Sequence, residues 1–204
     1  MNINTQKLRA NHYMSSKNIL HTLFAIITMT ILLIVSISTH HASAEAYNCH
    51  NSPTSLGRFI QKIPPTTLTA TTFLNDKNTE YSIKDYRGNG VILNFWATWC
   101  PPCVKEMPAL INLKKIIEKD NFSILALSED RGGAKSVISF FEKQGLEGLD
   151  VLVDKKGKVA REYKVQGLPV SLLIDREGLE RGRVIGIADW DKPEVVSFIK
   201  RCIG

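Results

Sequence analysis

The sequence predicts an α/β fold in which a central mixed sheet is flanked by helices, with an antiparallel hairpin at its amino-terminal side. Three observations carry this. Apolar runs of strand length alternate with helical apolar stripes, turn residues separate them, and a cysteine pair, Cys100 and Cys103, falls at a strand-to-helix junction.

Taken in order, residues 45–63 are polar, contain Pro53 and precede Pro64 and Pro65, which predicts a linker. Phe73 and Leu74 face Tyr81–Ile83 across Asn75, Asp76, Lys77 and Asn78 and predict a short hairpin. Gly90–Phe95 is a β-rich apolar strand. A helix follows through Lys119, with Val104, Met107, Leu110, Ile111 and Leu113 on one stripe. Phe122–Leu127 is a strand, Ala134–Gln144 a helix facing inward through Val137, Ile138, Phe140 and Phe141, and Val151–Val153 a strand. Val159–Tyr163 is a short helix and Val170–Ile174 a strand that turns at Asp175–Gly178 into a return strand, Arg183–Ile187. Pro193–Cys202 closes the chain as a helix with Asp191 as its expected cap. Gly178, Gly182 and Gly186 recur every fourth residue, but Glu180, Arg181 and Arg183 between them exclude a lipid-facing helix and leave turn and bulge glycines.

The amino terminus differs in kind. Residues 18–44 carry no formal charge, Leu23–Ile37 is a near-continuous apolar run, and Lys7, Arg9 and Lys17 precede it. Ala42, Ser43 and Ala44 then offer a small-residue cleavage site before Glu45. This predicts an export signal over residues 1–44 or, uncleaved, a membrane anchor centred on residues 19–37. Either places the body outside the cytoplasm, in the periplasm or cell envelope, with basic residues on the cytoplasmic side.

The chain carries 26 Lys and Arg against 20 Asp and Glu. Residues 1–44 hold three of the cations and no acid, so the body is only mildly basic and gives no electrostatic case for nucleic acid. Histidines stand at 12, 21, 40, 41 and 50 and nowhere later. Ser-His and Cys-His nucleophiles, zinc hydrolases and two-His-carboxylate iron sites are thereby excluded from the body. Four cysteines remain: Cys49, Cys100, Cys103 and Cys202.

Cys100 and Cys103 flank Pro101 and Pro102 just before the amphipathic helix. The spacing lets two sulfurs meet across one turn, and the helix amino terminus offers unpaired N–H groups and partial positive charge to a thiolate at Cys100. Pro101 suits the first helical position, where a missing donor costs nothing. Half of a zinc site is the competing reading. It needs a second close pair, whereas Cys49 and Cys202 stand 153 positions apart.

These residues resemble the TlpA/ResA-like branch of the thioredoxin superfamily over roughly residues 64–201. The likeness rests on Asn94–Trp99 before the cysteines, Lys105–Ala109 after them, Gly167, Leu168 and Pro169 ahead of the strand ending Ile174 and Asp175, and Ala188, Asp189 and Trp190 before the last helix, as in TlpA-type members. The resemblance implies a thioredoxin-like domain over 64–204 with an amino-terminal hairpin and a central βα insertion. It implies a redox-active disulfide between Cys100 and Cys103 with no further cofactor and no metal. Glu106 becomes the acid that tunes the thiols, and Pro169 the cis proline facing them. Trp99, Pro101, Pro102 and Leu168 become the client contact surface. A first-turn Glu favoured by the helix dipole is the plainer reading of Glu106, and Pro108 is expected to kink the helix. Cytoplasmic thioredoxins carry a buried Asp where Asn94 stands, so Glu106 must serve alone or through water, and Asn94 should be hydrogen-bonded. TlpA-type members pair a cysteine of the amino-terminal extension with one at the position of Leu179. Here Cys49 has only Cys202 or an external thiol as partner, and an even count in an oxidising compartment favours the Cys49–Cys202 bridge over a free Cys49.

The function implied is an exported, membrane-facing thiol-disulfide oxidoreductase. Two prolines between the cysteines leave Cys103 and Val104 as the nearest helix donors, which predicts a modest activation of Cys100, nearer the thiol pKa of about 7 in thioredoxin than the about 3.5 of DsbA, and hence a reductant. A transmembrane thiol carrier would supply electrons. The clients would be protein disulfides of cytochrome c maturation or of cytochrome oxidase copper-site assembly. The alternative is a Cu(I) carrier using Cys100 and Cys103 as soft ligands, which the absence of a nearby His or Met cluster weakens. A thiol peroxidase would need a Thr-containing loop that the chain lacks.

Overall fold

The computed structural model describes residues 47–204, together with Ile26, Ile27 and Met29, which are helical. Apart from those three residues, the expected export signal or anchor lies outside the described residues, among which no helix is long and apolar enough to cross a membrane.

The described body contains an eight-stranded sheet: β1 (Arg58–Thr67), β2 (Phe73–Asn75), β3 (Glu80–Tyr81), β4 (Gly90–Trp96), β5 (Phe122–Ser128), β6 (Leu152–Val153), β7 (Val170–Ile174) and β8 (Leu179–Ile185). Its order is β1-β8-β7-β4-β5-β6-β2-β3. Four helices flank it: α1 (Pro101–Ile117), α2 (Ala134–Gln144), α3 (Lys158–Glu162) and α4 (Pro193–Ile203). Only β4-β5-β6 run parallel, while β7 enters beside β4 antiparallel, so the sheet is mixed at its centre. The antiparallel β7–β8 hairpin needs only the Asp175–Gly178 turn, closed by Gly178 N–H donating to Asp175 O at 2.9 Å.

Strand β4 is buried along its whole length and alternates strictly. Val91, Leu93 and Phe95 enter a core with Phe73, Leu125, Leu172, and Val159 and Ala160 of α3. Ile92 and Trp96 enter the other, where Met107, Leu110 and Leu113 of α1, Phe141 of α2 and Phe198 of α4 close over them. Trp96 stacks on Phe141 with ring centroids 5.6 Å apart. Asn94 lies between Ile92 and Trp96 in this alternation, which aims a buried amide at α1.

Two expectations need correction. Within the polar stretch 45–63, the described residues 47–63 are not a linker. Strand β1 begins within it at Arg58 and pairs antiparallel with β8, and the residues before β1 pack onto α4. Leu56 is fully buried, Asn48 N–H donates to Arg201 O at 2.9 Å, and Ser55 Oγ donates to Glu194 Oε1 at 2.9 Å. Pro64 and Pro65 signalled a break because they lack N–H donors. On an edge strand, at the register shift between Gln61 and Thr66, that lack is tolerated. The ring of Phe59 in β1 lies where a Cβ on Gly182 would come within 2.4 Å, which is why β8 carries a glycine there. Nor does Asp191 cap α4. Lys192 occupies that position with Pro193 next, and Asp191 Oδ2 instead accepts from Asn112 Nδ2 at 3.0 Å.

Candidate active site

Strand β4 delivers the chain to its carboxyl end, where Ala97, Thr98 and Trp99 turn it into α1. Asp130, just past β5, fixes that turn. Its carboxylate accepts from Thr98 N–H at 2.9 Å, Thr98 Oγ at 2.6 Å and Ser128 Oγ at 2.8 Å, and its own N–H donates to Ser128 Oγ at 3.0 Å. Cys100 N–H closes the turn onto Ala97 O at 3.1 Å.

Cys100 is the N-cap of α1, and Pro101 and Pro102 follow in helical conformation. Cys100 and Cys103 form a disulfide with Cα atoms 5.3 Å apart. Cys103 N–H donates to Cys100 Sγ at 3.3 Å. The expected second donor does not reach the sulfur: Val104 N–H is taken by Cys100 O at 3.1 Å, the ordinary first bond of the helix. One backbone N–H, rather than two, therefore serves the cap sulfur. The two cysteines also differ in access, Cys100 being 5% exposed and Cys103 fully buried, while Trp99 beside them is 66% exposed. Pro101 and Pro102 are exposed as well, so the pair is open to approach from the Trp99–Pro102 side.

One turn beyond Cys103, Glu106 points into the core at 2% exposure, so it is no dipole-favoured surface acid. Its Oε1 accepts from Asn94 Nδ2 at 2.9 Å, and its Oε2 accepts from Trp190 Nε1 at 2.9 Å and Ala188 N–H at 3.3 Å. Burial holds its pKa above the usual carboxylate range, against the downward pull of the three donors. A carboxyl whose pKa is raised in this way is a stronger proton acceptor than a solvated one. Asn94 Nδ2 also donates to Ser171 Oγ at 2.9 Å, as its burial requires, while its Oδ1 has no donor. Helix α1 runs through Pro108 unbroken.

The Leu168–Pro169 bond is cis, with Pro169 buried and Leu168 half-buried. Leu168 and Trp99 both line a groove of about 980 Å³. Far from this end, Cys49 and Cys202 form a second disulfide with Cα atoms 4.4 Å apart, joining the segment before β1 to α4. Both cysteines are buried, at 4% and 0% exposure.

Sequence reasoning missed Asp130 and Ser171, and it saw Thr98, Ala188 and Trp190 only as a likeness without their bonds to Asp130 and Glu106. The available signal was position, since Ser128 and Asp130 are polar residues at the carboxyl end of a central strand, where sites of α/β sheets gather.

Comparison with known proteins agrees with this geometry. The model of the AhpC/TSA family matches residues 60–180. The chain is 43% identical over 103 residues to the thiol-disulfide oxidoreductase ResA of Geobacillus kaustophilus, covering 50% of this chain and 58% of that protein. It is 37% identical over 119 residues to ResA of Bacillus anthracis, covering 58% and 66%. The matches thus span less than two thirds of these relatives' lengths. A thiol:disulfide interchange protein from Bacteroides sp. superposes with a TM-score of 0.55 at 26% identity, over 62% of this chain and 84% of that one. The protein has a thioredoxin-like fold and belongs to the AhpC/TSA family.

Proposed function

We propose that the protein is an exported thiol-disulfide oxidoreductase that reduces disulfides in client proteins. The observation that carries the reading is the Cys100–Cys103 pair at the start of α1, with an entry sulfur beside the exposed Trp99, a buried partner sulfur and Glu106 one turn behind it.

In the reduced enzyme, Cys100 thiolate attacks one sulfur of the client disulfide. A Cys100–client bond forms as the client S–S bond breaks, and the leaving client sulfur takes up a proton. Cys103 gives its proton toward Glu106 and attacks Cys100 Sγ. The Cys100–Cys103 bond forms, the mixed disulfide breaks and the second client thiol departs. The client gains two electrons and the enzyme loses two, which a transmembrane thiol carrier restores. The single N–H on Cys100 Sγ supports only modest stabilisation of its thiolate, and so supports a reductant. The likeness to ResA and the apolar amino-terminal run support action outside the cytoplasm. We assign the clients to cytochrome c maturation or cytochrome oxidase copper-site assembly.

A Cys103→Ser variant tests the reading. Expressed in cells with its own leader, it should accumulate client proteins bound through Cys100 and released by dithiothreitol. A Cys103→Ser variant that captures nothing, yet loses Cu(I) binding that the wild type has, would replace the exchange reading with metal carriage.

A further inference from the structure

The groove beside the redox pair is floored by Leu74, Val153, Ala160 and Val165. Four cations stand on its rim. Arg131 and Lys135 follow β5, Lys155 and Lys156 follow β6, all four are exposed, and none forms an ion pair among the described residues. Three acids share the lining, but none of them forms an ion pair with a rim cation among the described residues. Both oxygens of Asp130 are occupied by Thr98 and Ser128. Glu129 is turned against Asp154, and Glu129 Oε1 and Asp154 Oδ1 are both buried without a donor. Burial and the Asp154 charge push the Glu129 pKa up to about 8 despite Arg161 nearby. Asp76, in the β2–β3 turn, is the one remaining acid of the lining.

The cationic loop is also held in place. Lys156 has a φ of 67°, and its carbonyl accepts from Arg161 Nη1 at 2.5 Å. Gly157 follows at a φ of 63°, where a Cβ would stand 3.1 Å from Glu129 Oε2. The two lysines are therefore presented by a fixed backbone. Because the cations stand on two separate segments along an apolar floor, they suit an extended chain with several negative charges better than one small anion.

We infer that the groove selects client segments whose disulfide is flanked by Asp or Glu residues, the apolar floor taking intervening side chains and the rim cations taking the carboxylates. This rests on the exchange reading above and names the chemical class of its substrate.

The test uses the reduced protein and three oxidised substrates. One is neutral 2-hydroxyethyl disulfide; the others are two synthetic peptides with the same disulfide loop, flanked by four Glu or by four Lys. The wild type should favour the Glu peptide by about tenfold in kcat/KM at low salt, falling to about threefold or less near 0.5 M NaCl. The Lys155→Glu/Lys156→Glu variant should invert the ratio, and Arg131→Glu should lower it. Equal kcat/KM for the two peptides in the wild type, or a preference that salt does not weaken, overturns the inference while turnover of 2-hydroxyethyl disulfide keeps the exchange reading intact. Absence of turnover on that neutral disulfide overturns the exchange reading and this inference with it.

Discussion

Replacing Glu106 by Gln removes a proton acceptor with little change of shape, and the groups around it set the consequence. If the new amide oxygen stays toward Trp190 Nε1 and Ala188 N–H, its NH₂ meets the NH₂ of Asn94, two donors face to face. Asn94 can turn over, since its Oδ1 is buried without a donor, and can then accept from the introduced NH₂ while Ser171 Oγ reorients. Three bonds to a charged acceptor, each worth about 1.5–3 kcal/mol, become neutral bonds worth about 0.5–1.5 kcal/mol, while the cost of burying a carboxylate disappears. These oppose each other, so stability at neutral pH should change by no more than about 1 kcal/mol. Activity should change more. A thiol of ordinary acidity is only about 3% ionised at pH 7, so a nearby proton acceptor can speed its attack by about 30-fold. On the proposed mechanism Cys103, which has no solvent access, gives its proton to that acceptor. Stopped-flow reduction of a chromogenic disulfide should show capture by Cys100 within about threefold of wild type and resolution by Cys103 slowed about 30-fold at pH 7, the deficit shrinking as pH rises. Unchanged resolution with the wild-type pH profile, or equal slowing of both steps at every pH, would refute the role given to Glu106.

The Asp130 clamp should be equally readable. Asp130→Asn should cost about 2 kcal/mol, because three donors converge on its carboxylate, and should move the pH midpoint of Cys100 thiolate absorbance, whereas Thr98→Ser should leave that midpoint near wild type. Removing the Cys49–Cys202 bond as a Cys49→Ala/Cys202→Ala pair opens a loop spanning 153 positions and should lower stability in urea by up to about 5 kcal/mol on the chain-entropy model, a loss under about 1 kcal/mol counting against a structural role. Glu129 binds its proton more tightly folded than unfolded, so its contribution to stability declines as pH rises from about 4.5 to about 8. Relative to wild type, Glu129→Gln should therefore gain stability across that window, by about 1–2 kcal/mol at pH 8 after allowing for its partial solvent access, and a gain at pH 4 that does not grow would contradict the sign.

The central strands and helices were legible because their signals are local. Val170–Ile174 and Ala134–Gln144 carry uninterrupted apolar runs or stripes between strong turn residues, and the structure keeps those bounds. The cysteine pair was legible because its chemistry depends on a spacing of three and on the helix after it. The features that escaped notice depend on contacts far apart in sequence. Strand β1 is polar with two prolines and exists because β8 offers it an edge, and the buried Leu56 is a single residue without periodicity. Asp130 reaches Thr98 across 32 positions, and Trp190 reaches Glu106 across 84. No spacing rule joins such residues. The sheet brings them together at the carboxyl ends of β4 and β5, and the site is completed there.

The most direct measurement is alkylation of the fully reduced protein by iodoacetamide across pH, with each modified cysteine identified by mass spectrometry. Cys100 should react first, with a rate midpoint below the about 8.5 of a free thiol and nearer about 7, while Cys103 stays protected. Faster modification of Cys103, or a Cys100 midpoint at or above that of a free thiol, would contradict an entry sulfur activated at the start of α1.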